Sequence, residues 1–250
     1  MEFSVVKIVE RMRAMDRAFR KHYPECPGPC RDGQLRLTGK DGKNYSRPCH
    51  LLERTCPYGR ALAQMLDREA LSRTRGLGIP SRFLGRLLAP SPSDAVRAVT
   101  RWRGKGFLTL LGGTGTGKSF GAALRLFLDI RSSLGETWAD PGYWSQVGFT
   151  AKWISAYRIT VFKEELDEAC GSGYLVLDDL GEEINSASAK AAVKELVSER
   201  YNWDRPTIIT TNLSQSMLVD RYGDRMVERL IESGDMASCN GASLRLRDAA

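Results

Sequence analysis

A glycine-rich segment carries the most specific chemical signal in the chain. Residues 112–119 read Gly-Gly-Thr-Gly-Thr-Gly-Lys-Ser and match the phosphate-binding pattern G-x-x-x-x-G-K-[ST]. An apolar run of strand length, residues 107–111, precedes this segment, and a helix-like stretch follows it. This strand–loop–helix context is the one that such a phosphate-binding loop requires. The alternative, a glycine-rich turn that binds no ligand, is disfavoured by the context.

The chemistry of this loop follows from its residue types. Glycines let the backbone curl so that successive N–H groups face phosphate oxygens, and the helix N-terminus adds the positive end of its dipole. We expect the Lys118 ammonium to bridge the β- and γ-phosphates of a nucleotide and the Ser119 hydroxyl to hold Mg²⁺. The predicted nucleotide-binding residues of the loop are Gly112, Gly113, Thr114, Gly115, Thr116, Gly117, Lys118 and Ser119.

Carboxylate and amide side chains follow two further apolar runs. Residues 174–177 are predicted to form a buried strand adjacent to the loop strand, ending in Asp178 and Asp179. We expect Asp178 to reach the Mg²⁺ shell and Asp179 to orient an attacking water as general base. A third strand is predicted to end at Asn212, with its amide between the γ-phosphate and that water. The alternatives are two acids that only cap a strand and an asparagine that only begins a turn.

Arginines recur near the end of the chain. Arg221, Arg225 and Arg229 follow one another at four-residue steps and are predicted to lie on one helix; Arg245 and Arg247 come later. Arginines usually face solvent. Nevertheless, a cationic group beside the γ-phosphate is what the transition state of phosphoryl transfer requires, and it can come from a neighbouring subunit.

A cysteine cluster indicates a second kind of site. Cys26 and Cys30 flank a Pro-Gly-Pro turn, Cys49 and Cys56 form a second pair, and both histidines of the chain lie in the same region. Four soft ligands from two pairs suit tetrahedral zinc, and a region poor in apolar residues needs such a cross-link to fold. His50 is an alternative ligand to Cys49. An iron–sulfur cluster and unligated thiols remain the alternatives to zinc.

Composition and charge limit the classes of protein that fit. The 250 residues are 42% hydrophobic, enough for one α/β domain with a small appendage, and this balance excludes a disordered or low-complexity chain. No apolar stretch is long enough to span a membrane, and the first residues lack an export signal, so we expect a cytoplasmic location. Residues 1–106 carry 22 basic and 10 acidic side chains, whereas residues 107–250 carry 15 and 20. A basic first part favours nucleic acid as a partner, or otherwise an acidic protein surface.

The expected elements follow from apolar spacing and from chain breaks. Helices are predicted for residues 1 to about 20 and 60 to about 71, with breaks at 77–80 and 89–93. From residue 107 onward, strands alternate with helical stretches, which indicates a parallel sheet. We therefore predict an N-terminal helical, zinc-binding domain at residues 1–76, a linker and lead-in at 77–106, and an α/β P-loop domain at 107–250.

In combination, these motifs resemble AAA+ ATPases of the replicative helicase-loader type, the DnaC and DnaI proteins. The resemblance covers about residues 77–250. The stretches that carry it, besides the P-loop, are 77–83 before the ATPase core, 177–181 as Walker B, 210–214 as sensor 1, 223–230 as the arginine-finger box and 241–245 as the terminal sensor 2 element. Two departures are Asp179, where AAA+ proteins most often have glutamate, and Leu244, where the element usually has an aromatic residue.

This resemblance implies a mechanism and a set of partners. ATP with Mg²⁺ would bind between neighbouring subunits of a self-associated assembly, with Arg229 as the arginine finger, Arg225 beside it and Arg245 as sensor 2. The assembly would grip single-stranded DNA and load a hexameric replicative helicase of the DnaB type onto it, the N-terminal region docking on the helicase. The main alternative is an IstB-like ATPase that helps a transposase to select target DNA. A binding module with an inactive nucleotide site is a further possibility.

Overall fold

A computed structural model describes residues 34–38, 42, 44–48, 57–139 and 150–241 of the chain. They belong to two compact units: a sheet unit, made of Thr74–Phe127 with residues 150–241, and a second unit, made of the described residues up to Arg73 with 128–139. In the second unit, β1 (Gln34–Thr38) and β2 (Asn44–Pro48) pair in antiparallel fashion. The remaining strands are β3 (Phe107–Leu111), β4 (Ala151–Ser155), β5 (Tyr174–Leu180), β6 (Thr207–Thr211) and β7 (Gly234–Ser238). The helices of the described residues are α1 (Pro57–Gly76), α2 (Ser81–Leu84), α3 (Asp94–Arg101), α4 (Lys118–Ala139), α5 (Ala156–Val161), α6 (Lys163–Gly171), α7 (Ala187–Asn202), α8 (Gln215–Tyr222) and α9 (Asp224–Glu232).

The sheet unit is built on five parallel strands in the order β4-β5-β6-β3-β7. Strands β3, β5 and β6 are buried along almost their whole length, as expected for parallel strands covered by helices on both faces. The predicted α/β class and parallel sheet are confirmed. Strand β7 was not predicted, because its sequence Gly-Asp-Met-Ala-Ser lacks an apolar run. It lies at the edge of the sheet and is partly exposed, so it needs no such run.

The strand order corrects one prediction. The strand that carries Asp178 was predicted to lie next to the loop strand β3, but β6 lies between them and pairs in parallel with both. All five residues of β6 are buried, which is the environment of a central strand with neighbours on both sides. The apolar pattern of the sequence shows that each strand is buried but not which strands are neighbours, so the order could not be read from it.

The predicted chain breaks are confirmed, and one predicted helix is longer than expected. Helix α1 covers Pro57–Gly76 rather than residues 60 to about 71, and it ends where the 77–80 break begins. The break at 89–93 separates α2 from α3. Ser93 caps α3, since its hydroxyl oxygen accepts a hydrogen bond from the Val96 N–H at 3.2 Å.

The prediction that the arginine series lies on one helix is wrong, because the series is divided between two helices. Arg221 belongs to α8, whereas Arg225 and Arg229 belong to α9. The two helices are separated by Gly223, whose φ of 86° lies in the left-handed region that glycine adopts most readily. The Gly223 N–H closes α8 by donating to the Val219 carbonyl at 2.7 Å. The four-residue spacing of the arginines is therefore interrupted by a change in chain direction.

Residues 77–106, the predicted lead-in, belong to the sheet unit and pack against its elements. The Phe83 and Phe120 rings meet edge to face at 5.9 Å between centroids, and those of Trp102 and Tyr174 at 6.0 Å. The Arg125 guanidinium donates to the carbonyls of Val99 and Trp102 at the end of α3. These contacts hold the first turns of α4 against α3. The division of the chain into 1–76, 77–106 and 107–250 stays a prediction.

A buried arginine fixes the amino-terminal end of β6. Arg200 of α7 has no exposed surface, and its guanidinium donates to Thr207 Oγ1 at 2.6 Å and to the carbonyls of Ala169, Ser172 and Pro206 at 2.8 Å each. Burial, together with the charge of Arg205, lowers the pKa of Arg200 to about 10, so it remains charged at neutral pH. The carbonyl oxygens compensate the cost of burying this charge.

Some predictions fall outside the described residues. They are the first helix, the cysteine and histidine cluster (Cys26, Cys30, Cys49, Cys56 and His50) and Arg245. The described part of the chain contains no group of three or more histidine, cysteine or acidic side chains suited to holding a metal ion. None of the helices in that part is long and apolar enough to cross a membrane.

Candidate nucleotide-binding site

The glycine-rich loop connects the end of β3 to the start of α4. Gly112, Gly115 and Gly117 have φ values of 146°, 85° and 91°, which other residues rarely adopt. A Cβ on Gly112 would also lie 2.2 Å from the Cys239 carbonyl oxygen, so the close approach of the residue after β7 requires glycine there. The loop leads directly into the start of α4 at Lys118, and the N-terminus of a helix favours an anion.

Lys118 lies at the centre of this loop. Its side chain is almost buried, with 5% of its surface exposed. Its ammonium donates to the carbonyls of Gly112 and Gly113 at 2.6 and 2.8 Å and to Asn212 Oδ1 at 3.0 Å. The structure thus places Lys118, the predicted phosphate ligand, beside Asn212, the predicted amide that follows β6. A triphosphate at this position would compete with these neutral oxygens for the hydrogen bonds of the Lys118 ammonium. Its negative charge favours the triphosphate, because hydrogen bonds between charged groups are stronger.

The predicted magnesium ligands also meet. Asp178 is buried and accepts hydrogen bonds from Thr210 Oγ1 at 2.6 Å and from the Ser119 hydroxyl. Burial raises the pKa of Asp178, and the neighbouring Asp179 charge raises it further, against the opposing effect of both hydrogen bonds and of Lys118. A carboxylate and a hydroxyl side by side are the hard oxygen ligands that Mg²⁺ prefers. Thr210 of β6 thus binds both acids at the end of β5.

Asp179 adopts a conformation that directs it away from the buried line of β5. Its φ is 57°, and the register between β5 and β6 shifts between Leu177 and Leu180, so the strand bulges at the two acids. Its N–H donates to Thr210 Oγ1 at 3.0 Å, while its side chain is exposed. Bulges of this kind re-aim side chains beside active sites. The bulge lets both consecutive acids serve the same edge of the sheet.

A further acid, which sequence reasoning missed, extends the cluster. Glu182 Oε1 accepts from Asn212 Nδ2 at 3.3 Å, and the Glu182 N–H donates to the Asp179 carbonyl at 3.1 Å. Hydrogen bonds therefore run from Lys118 through Asn212 to Glu182, linking the loops that follow β3, β6 and β5. No local pattern marks Glu182, because its contact depends on a residue 30 positions away.

A third acid on the same loop is buried. Glu183 is 4% exposed and accepts hydrogen bonds from the Gly181 N–H, from Arg221 and from the Tyr222 hydroxyl. Burial alone would raise the pKa of Glu183, but these hydrogen bonds outweigh it, and its pKa lies below the ordinary value. Glu183 is therefore ionised at neutral pH.

The predicted arginine-finger residues do not join this cluster within one chain. Arg225 is exposed, and the Arg229 guanidinium donates to Ser198 Oγ and lies 5.4 Å from the centroid of the Tyr201 ring. Arg229 stands near the end of α9, just before β7 begins beside Phe107, the first residue of β3. It therefore lies toward the amino-terminal edge of the sheet, whereas the glycine-rich loop follows the carboxyl-terminal edge.

Comparisons with known proteins find replication proteins among the solved structures, at low identity. No family model matches the chain, and no curated protein matches it. A crystal structure of the DnaC helicase loader is 22% identical, with a TM-score of 0.42 over 64% of this chain and 86% of that one. DnaI is 19% identical, with a TM-score of 0.45 over 60% and 80%. AMPPCP-bound DnaA from Aquifex aeolicus is 16% identical, with a TM-score of 0.40 over 58% and 44%.

Proposed function

We propose that this chain is an AAA+ ATPase that loads a replicative DNA helicase onto single-stranded DNA. The observation that carries the ATPase part is the convergence of Lys118, Ser119, Asp178 and Asn212 at the carboxyl-terminal edge of the sheet. The loader part rests on the sequence motifs, above all the arginine box at residues 223–230.

Each group of the cluster has a role in hydrolysis of the γ-phosphate. The loop N–H groups and the Lys118 ammonium would neutralise the phosphates, while Ser119 and Asp178 would hold Mg²⁺, which would supply further positive charge for the transferred phosphoryl group. Asp179 accepts a proton from the attacking water, and Asn212 holds that water in line. The water oxygen bonds to the γ-phosphorus as the bond from that phosphorus to the β,γ-bridging oxygen breaks, which releases ADP and phosphate. Because Asp179 has a shorter side chain than the usual glutamate, we expect slow turnover.

The same proposal assigns partners to the two parts of the chain. The N-terminal region, residues 1–76, would dock on a hexameric helicase of the DnaB type, and the ATPase unit would grip single-stranded DNA when ATP joins neighbouring subunits. ATP hydrolysis would then release the helicase on the DNA. Arg229 and Arg225 would act from the adjoining subunit, and Arg245 would contact the nucleotide as sensor 2.

Co-purification tests the loader function directly. The chain should be retained by a DnaB-type hexameric helicase with or without a nonhydrolysable ATP analogue, and single-stranded DNA should join the complex only when the analogue is present. A chain that ignores such helicases but is retained by a transposase would instead be an IstB-like targeting ATPase.

We also propose that the N-terminal region binds one zinc ion through Cys26, Cys30, Cys49 and Cys56, with His50 as the alternative to Cys49. Native mass spectrometry should detect one zinc per chain, and Cys26→Ser should lose it, because a structural site needs all four ligands. Cys170→Ser is the matched control, since Cys170 is half-buried in the sheet unit and should leave the metal content unchanged. A native mass without metal would contradict the proposal, and a mass that fits iron and sulfide would identify the cluster alternative.

A further inference from the structure

The loop after β5 contains one acid whose environment differs from that of its neighbours. Asp179 and Glu182 are exposed, whereas Glu183 is buried. Glu183 Oε2 accepts from the Gly181 N–H at 2.8 Å, and Glu183 Oε1 accepts from Arg221 Nε at 2.9 Å and from the Tyr222 hydroxyl. A second Arg221 nitrogen donates to the Glu183 carbonyl at 2.9 Å. Both carboxylate oxygens are thus engaged, and we call this set of contacts the Glu183 clamp.

A buried carboxylate in a surface loop requires compensation. Burying an ion costs free energy unless charge and hydrogen bonds compensate it, and a surface loop does not otherwise need such a group. An exposed acid at this position, like Glu182, would avoid the free-energy cost of burying an ion. The fully paired carboxylate instead fixes the loop in one conformation, because its donors come from two segments, the turn at Gly181 and the end of α8.

At one end, the clamp acts on the segment that carries Asp179. The Gly181 N–H that it binds belongs to a turn with φ of 105°, and a Cβ there would lie 2.8 Å from the Leu213 side chain, next to Asn212. The following residue, Glu182, donates its N–H to the Asp179 carbonyl. Asp179 itself has a φ of 57°, a conformation that costs free energy and persists only where the surroundings enforce it.

At its other end, the clamp holds the last two residues of α8. Arg221 and Tyr222 immediately precede Gly223, at which the chain turns into α9 with Arg225 and Arg229. Among the hydrogen bonds of the described residues, none joins Arg221 or Tyr222 to the glycine-rich loop. The clamp therefore constrains the loop after β5 without a hydrogen bond to the phosphate-binding residues.

We propose that Glu183 is a positioning residue for ATP hydrolysis, which holds Asp179 in place through the turn at Gly181 and anchors that turn to α8. This inference rests on the proposed ATPase function. Because the clamp does not touch Lys118 or the loop N–H groups, its loss should slow hydrolysis without weakening ATP binding. A displacement of about 1 Å at a catalytic group reduces turnover by up to about 100-fold.

The test measures ATP affinity and turnover separately in the full chain. Glu183→Gln keeps the size of the side chain but removes its charge, and it should lower kcat by roughly 10- to 100-fold while the Kd for ATP changes less than about threefold. Tyr222→Phe removes one hydroxyl from the clamp and should lower kcat by a smaller factor in the same direction. Glu195→Gln, on the exposed face of α7, removes the same charge and should behave as the unaltered chain.

The outcomes separate this inference from the ATPase proposal. If the unaltered chain does not hydrolyse ATP, the proposed function is wrong. If it does, and both Glu183→Gln and Tyr222→Phe keep its kcat, the clamp is structural and the inference is wrong. If Glu183→Gln does not fold, Tyr222→Phe decides, because only a positioning role lowers kcat in a folded variant with normal ATP affinity.

Discussion

The Lys118→Ala variant should lose ATP binding and, with it, ATP-dependent DNA binding, while it still binds the helicase. The Lys118 ammonium is almost buried among the carbonyls of Gly112 and Gly113 and the amide of Asn212, at the point where phosphates would lie. The variant loses the charged donor placed at the phosphates, and charged donors make the stronger hydrogen bonds to phosphate. Helicase docking is assigned to the basic N-terminal region, which this substitution does not touch.

Titration calorimetry with ATP, fluorescence anisotropy with labelled single-stranded DNA, and a helicase pull-down measure the three activities. Lys194→Ala is the matched control, because Lys194 is exposed on α7 and carries the same charge. All three activities of this control should be unchanged. If folded Lys118→Ala lost helicase binding together with DNA binding, helicase docking would not be a separate activity of the N-terminal region. Unchanged ATP affinity would contradict the nucleotide site itself.

The part of the site that could be predicted is the part that the sequence encodes locally. The glycine-rich loop has its left-handed residues at Gly112, Gly115 and Gly117, and the strand before it and the helix after it lie where the pattern indicated. Turn conformation and helix initiation depend on a few consecutive residues, so a short motif specifies them. The parallel arrangement also followed from the alternation of buried strands and helices.

The contacts that could not be predicted are those between distant segments. Thr210 binds Asp178 across 32 positions of sequence, Asn212 binds Glu182 across 30, and Arg221 binds Glu183 across 38. Each pair joins β6 or a segment after it to the end of β5 or the loop after it, and no spacing pattern reveals that β5 and β6 are neighbours. From the sequence alone, Thr210 is an ordinary residue of a buried strand, and Glu183 is one of two adjacent acids expected at the surface.

The arginine series illustrates how a correct pattern leads to a wrong element. Steps of four residues favour one helical face, but the series crosses Gly223, whose positive φ ends α8. A glycine followed by an acidic residue is a signal for the end of one helix and the start of the next. That signal was present in the sequence and outweighed the periodicity.

Arg229→Ala is expected to bind ATP normally and to hydrolyse it very slowly. An arginine finger accelerates phosphoryl transfer by about 10³- to 10⁵-fold, so its removal should reduce turnover to nearly background. Within one chain Arg229 contacts Ser198 and the ring of Tyr201 and lies toward the opposite edge of the sheet from the glycine-rich loop. We therefore expect it to act on ATP held by a neighbouring subunit.

Mixing two inactive variants tests action between subunits. Arg229→Ala retains Asp179 but lacks the finger, whereas Asp179→Asn retains the finger but lacks the base. In a mixed assembly, some interfaces combine the intact Asp179 of the first variant with the intact Arg229 of the second, so part of the ATPase activity should return. The measurement is phosphate release at a fixed total protein concentration over a range of mixing ratios.

The controls decide whether restored activity comes from shared sites. Adding the double variant, Asp179→Asn with Arg229→Ala, to Arg229→Ala supplies no finger and should restore nothing. Because Ala also removes the hydrogen bond to Ser198, thermal unfolding of Arg229→Ala should be compared with that of Ser198→Ala, which loses the same bond and keeps the guanidinium. Full hydrolysis by Arg229→Ala, or mixed assemblies that form and stay inactive, would show that Arg229 does not complete a neighbour's site.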